Sequence, residues 1–182
     1  MTAVVGTSPD RQPRRPVGTG RLVIPVTSAV GTGPTPVAAF DAALRAAGLA
    51  DLNIIRLSSV IPTGAEVVLQ IDEPLSLVGT TAGWGDRHYA VYADARAERP
   101  GEVAAACVGW VQNIDTGEGL FVEVEGDDEE RVRADVVASL DAMVEARGVD
   151  MGAPTLLSRS IVCEGDPVCA LVVASYATEG WS

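Results

Sequence analysis

The chain contains no lysine; all 13 of its cationic side chains are arginine. That absence excludes enzymes that hold pyridoxal phosphate as a Schiff base on a lysine, lysine-nucleophile aldolases and P-loop nucleotidases, since each needs the amine. Histidine is nearly absent as well. With His88 alone, a histidine-rich metal centre or a conventional serine triad would rest on one residue. Three cysteines, Cys107, Cys163 and Cys169, leave an odd thiol and fit a reducing compartment. Cations are few beside acids, 13 against 25 for a net charge of -12, and such a field repels nucleic acid and anionic membranes. No apolar run approaches the roughly 18 residues that span a bilayer. A cytoplasmic protein is expected, binding no nucleic acid and no membrane.

What is present points to one globular domain. The chain has 182 residues and is 47% apolar, enough for a sizeable core. Residues 1–20, with Pro9, Pro13, Pro16, Arg11, Arg14 and Arg15, lack the apolar centre of a signal peptide and are expected to be a flexible tail. The domain then occupies 21–182. Arg21 to Thr27 reads as a strand and Gly31 to Pro34 as a loop. Thr35-Pro36 is an N-cap followed by proline at the first helical position. Val37, Phe40, Leu44 and Ala47 share a face, and Gly48 is placed to stop the helix. A second helix is expected over 127–147, its acidic opening complementing the helix dipole and Val132, Val136, Leu140, Met143 and Val144 forming its buried stripe. Strands are expected at 53–57, 66–71, 88–93, 103–111, 120–125, 158–162 and 170–174. Two helices among many short strands make a layered α+β domain.

Several motifs are weak. Gly31 and Gly33 lack the third glycine and the lysine of a phosphate loop. Gly79, Gly83 and Gly85 around Trp84 suit either a mobile loop over a pocket or an ordinary connection. Cys163 and Cys169 have no second cysteine pair, so buried thiols are expected and a metal site is not. His88 opens an apolar strand and reads as a hydrogen-bonded structural residue.

The strongest signal lies in 51–66, where the serine pair Ser58-Ser59 ends an apolar strand and Pro62 follows. Asn53, Arg56, Ser58, Ser59, Val60 and Pro62 match an Asn-x-x-Arg-x-Ser-Ser-[Ile/Val]-x-Pro stretch, and the segment resembles the self-cleavage region of pyruvoyl-dependent arginine decarboxylases. The resemblance extends to Thr35-Pro36 with Ala39-Phe40-Asp41 and Leu44, to Pro100-Gly101-Glu102, and to Gly119-Leu120-Phe121-Val122-Glu123-Val124-Glu125-Gly126. The chain departs from the family pattern at Thr63, at Val124 and through 75–92, a region that bears on substrate choice.

The resemblance implies an αββα four-layer sandwich assembled as a homotrimer, often paired into hexamers, with sites shared between neighbouring subunits. It implies cleavage between Ser58 and Ser59 into a β chain of residues 1–58 and an α chain of residues 59–182. The cofactor would be a pyruvoyl group derived from Ser59, with neither pyridoxal phosphate nor metal. Such a ketone condenses with an amino acid as a Schiff base and draws electrons from the departing carbon dioxide. A buried acid must then protonate Cα, for which Glu123 is the candidate; Glu125 is expected on the opposite side of its strand. Asn53 is the implied donor to the scissile carbonyl, and Asp41 with Leu44 the implied substrate contacts, a carboxylate being what a guanidinium requires. The reaction implied is L-arginine to agmatine and carbon dioxide, the opening of polyamine synthesis. The same chemistry on another amino acid is the alternative within the enzyme class. An unprocessed trimer that binds arginine-like ligands without turnover is the alternative outside it.

Overall fold

The computed structural model describes residues 21–71, 75 and 82–181; the expected N-terminal tail and Gly79 lie outside them. The elements follow in the order β1 (Val23–Thr32), α1 (Pro36–Ala46), β2 (Asn53–Arg56), β3 (Val60–Ile61), β4 (Glu66–Leu69), β5 (Arg87–Ala97), β6 (Val103–Gln112), β7 (Gly119–Gly126), α2 (Glu129–Arg147), β8 (Thr155–Val162) and β9 (Val168–Glu179). A five-stranded mixed sheet runs β2-β5-β9-β1-β4, and a four-stranded antiparallel sheet runs β3-β7-β6-β8. β1 is parallel to β4 and β2 to β5; the other pairs of the first sheet are antiparallel.

Two helices and two sheets make the expected α+β domain, and α1 packs on the first sheet and α2 on the second, which is compatible with αββα layering. Apolar residues of β5, β6, β7 and β9 fill the space between the sheets, including Val91, Val108, Phe121 and Val172. Ala39 and Ala43 of α1 share a cluster with Leu171 of β9. Val132, Val136 and Leu140 of α2 share one with Cys107 of β6 and Leu120 of β7. Burial of such side chains is the main favourable term in folding.

α1 forms where its signals place it: the Thr35 hydroxyl accepts from the Ala38 N–H at 3.2 Å, and Pro36 opens the helix. Of its expected face, Ala47 is buried and Phe40 and Leu44 pack against the core, but Val37 is 69% exposed and Ala39 and Ala43 take the innermost positions. The cause is Gly31. A Cβ there would stand 2.2 Å from the Ala39 carbonyl oxygen and 2.3 Å from the Ala43 nitrogen, so the helix backbone sits directly on the strand and only small residues fit between them. For the same reason the expected loop at 31–34 is corrected: β1 continues through Gly31 and Thr32. α2 starts two residues later than expected, with the Asp128 carboxylate capping the Arg131 N–H at 2.9 Å and Gly148 ending it at φ 62°.

One irregularity matters below. Tyr89 pairs with Ala177 but Ala90 with Ser175, leaving Tyr176 as an extra residue in β9, a β-bulge. In a regular strand Ser175 and Thr178 would face opposite sides. The bulge turns both toward His88, whose Nε2 lies 2.7 Å from Ser175 Oγ and whose Nδ1 lies 2.8 Å from Thr178 Oγ1. His88 is thus the structural histidine its place in the sequence suggests, and burial lowers its pKa from 6.5 to about 4.

Candidate active site

The serine pair lies where the chain changes sheets. The Leu57 N–H still donates to the Ala90 carbonyl of the first sheet at 2.9 Å, whereas the Ser59 carbonyl accepts from the Phe121 N–H of the second, also at 2.9 Å. Ser58 therefore carries the crossing, and the turn puts Ser59 at φ 65°, the one non-glycine residue with positive φ among the described residues. Left-handed backbone costs an L-residue about 1–2 kcal/mol, so the Ser58–Ser59 junction is held under strain by the sheets on either side.

The Ser59 hydroxyl donates to Glu123, at 2.9 Å from one carboxylate oxygen and 2.8 Å from the other. This joins residues 64 positions apart. Serine and acid are half-buried, and the exposed face of the turn belongs to Ser58. Glu123 and Glu125 do not face opposite sides. Two residues are a full period of the pleat, so Phe121, Glu123 and Glu125 all look toward the first sheet, while Val122 and Val124 lie against the helix.

Glu125 has its own task. Beyond Arg56, β2 no longer covers β5, leaving backbone groups of β5 without a strand partner. The Arg56 guanidinium donates to the Tyr92 carbonyl and packs over the Tyr92 ring at 4.3 Å; Glu125 accepts from the Asp94 N–H at 3.1 Å and pairs with Arg56 at 3.4 Å. Arg56 and Glu125 thus close the open edge next to the serine pair. Burial raises the pKa of Asp94 there, against the lowering charge of Arg96.

The remaining expected site residues lie elsewhere in the chain. Asn53, at the far end of β2, donates through Nδ2 to the Gly85 carbonyl. Asp41 is exposed on α1 and pairs with Arg45 at 2.8 Å. Leu44 packs into the layer between α1 and the first sheet. The turn Gly83-Trp84-Gly85-Asp86 borders a groove of about 410 Å³ with Arg45, Asp51 and Leu52, and Trp84 is 88% exposed. The cysteines are buried and unpaired, burial pushing Cys107 to about 11 and Cys169 to about 12. Among the described residues, no group of three or more histidine, cysteine, aspartate or glutamate side chains is placed to hold a metal ion, and no helix is long and apolar enough to cross a membrane.

Sequence reasoning missed Tyr176. It follows Ser175 in an apolar strand, and only the pairing with β5 reveals the bulge that presents it. Its hydroxyl donates to the Val60 carbonyl at 3.0 Å, one residue past the serine pair.

Comparison with known proteins identifies the family. The family described as pyruvoyl-dependent arginine decarboxylase matches residues 23–180. Proteins named pyruvoyl-dependent arginine decarboxylase are similar to this chain in Methanothermobacter thermautotrophicus (30% identity, 71% of this chain and 80% of that one) and Halobacterium salinarum (31%, 80% and 88%). One of the same name in Thermococcus kodakarensis is 29% identical, over 81% of this chain and 90% of that one. A match over most of the chain, spanning the Ser58–Ser59 turn and the glutamate that holds it, makes this chain a member of the pyruvoyl-dependent arginine decarboxylase family.

Proposed function

We propose that this chain cleaves itself between Ser58 and Ser59, and that the processed protein decarboxylates L-arginine to agmatine. The observation that carries the reading is Ser59 itself: left-handed at φ 65°, with its hydroxyl bonded to both oxygens of Glu123.

The residues fit the group that Ser59 would become. Glu123 is placed to take the proton from Ser59 Oγ as that oxygen adds to the carbonyl carbon of Ser58. The C–N bond breaks as the C–O bond forms, leaving an ester and a free amine on residue 59. Loss of the Cα proton with rupture of the Cβ–Oγ bond releases Ser58 as a carboxylate. The dehydroalanine left behind tautomerises to an imine, and water replaces its nitrogen, which departs as ammonia. The pyruvoyl group so formed supplies a ketone that takes up the amine of an α-amino acid and accepts electrons as carbon dioxide leaves. Glu123, no longer bonded to a serine hydroxyl, stands beside residue 59 to deliver a proton to the substrate's Cα. The Phe121 N–H, aimed at the carbonyl of residue 59, stabilises negative charge on that oxygen.

The separation of Asn53, Asp41 and Leu44 from Ser59 within one chain supports a site shared between subunits of a homotrimer. There the exposed Asp41 would exchange Arg45 for the guanidinium of a substrate.

Denaturing electrophoresis and intact mass of the purified protein test the reading, followed by carbon dioxide release across a panel of amino acids. Fragments 1–58 and 59–182, the second reactive toward carbonyl reagents, are expected, with release fastest from L-arginine. An uncleaved chain inert to such reagents would overturn it.

A further inference from the structure

Tyr176 has no part in the reaction described above, yet three observations bring it to the cleavage point. It is the bulged residue of β9, and bulges commonly re-aim a side chain. Its hydroxyl crosses the space between the sheets to donate to the Val60 carbonyl at 3.0 Å. Its ring meets Phe121 edge-on, with centroids 6.2 Å apart, and the Phe121 N–H holds the Ser59 carbonyl. Burial, with the Glu123 charge adding to it, raises the pKa of this hydroxyl, so it remains a donor throughout the neutral range.

We propose that Tyr176 is a positioning residue for self-cleavage and for turnover: it pins Val60 from the opposite sheet, and so keeps residue 59 against Glu123 and the Phe121 N–H before and after the Ser58–Ser59 bond is cut. The need follows from β3. That strand has two residues at the edge of its sheet, too few to hold a chain end by ladder bonds alone. In the precursor residue 59 is tethered on both sides; after cleavage its only covalent anchor is Val60. A donor from the first sheet gives that anchor a second point of attachment. His88, bridging Ser175 and Thr178, holds the bulge that aims it.

The inference rests on the self-cleaving reading, and the test separates the two. Tyr176→Phe keeps the ring and removes only the hydroxyl; Tyr89→Phe, which removes a hydroxyl bonded to Glu179 at 3.2 Å, is the control. Appearance of the fragments is timed on freshly made protein with matched circular dichroism, and kcat and KM are measured on fully cleaved samples. Tyr176→Phe is expected to slow cleavage roughly tenfold and to lower kcat by a similar factor with KM within about twofold, while Tyr89→Phe follows the parent. His88→Gln, which loosens the bulge but keeps the tyrosine, is expected to slow cleavage as well. Parental cleavage and kcat in Tyr176→Phe overturn this proposal alone, as does equal slowing in both tyrosine variants; parental cleavage in His88→Gln overturns the part given to the bulge. An uncleaved parent overturns the self-cleaving reading and this proposal with it.

Discussion

A single carboxylate, Glu123, accepts from the Ser59 hydroxyl and, under the proposed reaction, would also stand beside residue 59 after cleavage. Glu123→Gln retains the size and most of the hydrogen bonding, so the chain is expected to fold with stability within about 1 kcal/mol of the parent. The loss should fall on both chemical steps: slower cleavage, because Glu123 also takes the Ser59 proton, and, in the protein that does cleave, a kcat reduced by about 10²-fold or more, the usual contribution of a general acid. Steady-state kinetics on cleaved protein check this, and unchanged kcat would remove Glu123 from the acid role. His88 offers a second test at this scale, because it is the sole histidine in the sequence and its resonances need no assignment. Its folded pKa of about 4 lies below the ordinary 6.5, so the folded state prefers the neutral ring. The stability this contributes is complete above pH 6.5 and is lost as pH falls toward 4, about 3 kcal/mol in all. An NMR titration of the folded protein should show a midpoint near 4; a midpoint near 6.5 would mean the ring is not buried as described.

The contact of α1 with β1 depends on the missing side chain of Gly31. Gly31→Ala sets a methyl against helix backbone, which cannot swing aside, and is expected to cost about 2–3 kcal/mol. Gly165→Ala, with nothing within 4 Å of its added Cβ, should stay within about 0.5 kcal/mol of the parent. Urea denaturation of the two variants gives the comparison. This contact also shows what the sequence could and could not tell. The Thr35 cap, Pro36 and the α2 stripe are local signals and are legible, as is the serine pair through its motif. Gly31-Thr32-Gly33 has the composition of a loop but forms strand and strand exit, because tertiary packing overrides the local preference of glycine. The placement of Glu123 and Glu125 on one face was legible in the pleat period. The bulge at Tyr176 was not, since a bulge is a mismatch between two strands and leaves no mark on either alone.

For the whole molecule, the proposed cleavage would divide the first sheet between two chains and leave the second wholly in residues 59–182, without dividing the domain. Residues 1–58 carry β1, α1 and β2, and β1 is an interior strand between β9 and β4, both in residues 59–182. The two products would therefore share one core and are expected to elute together until global unfolding. Unfolding of the cleaved protein releases separate chains, so its melting temperature should fall on dilution more than that of uncleavable Ser59→Ala. Calorimetry at two concentrations decides the point, and equal shifts would mean the fragments do not separate on unfolding. The bond between Ser59 and Glu123 has a further consequence in time. It joins positions 64 residues apart, and such long-range contacts form late, after loop closure has been compensated by packing. A chain with β7 unplaced has no glutamate at its serine, so the proposed scission would wait for assembly and work as a one-way latch. Every molecule that carried the proposed cut would already have folded, whereas separated fragments would have to find each other by collision, a bimolecular search that the uncut chain never faces.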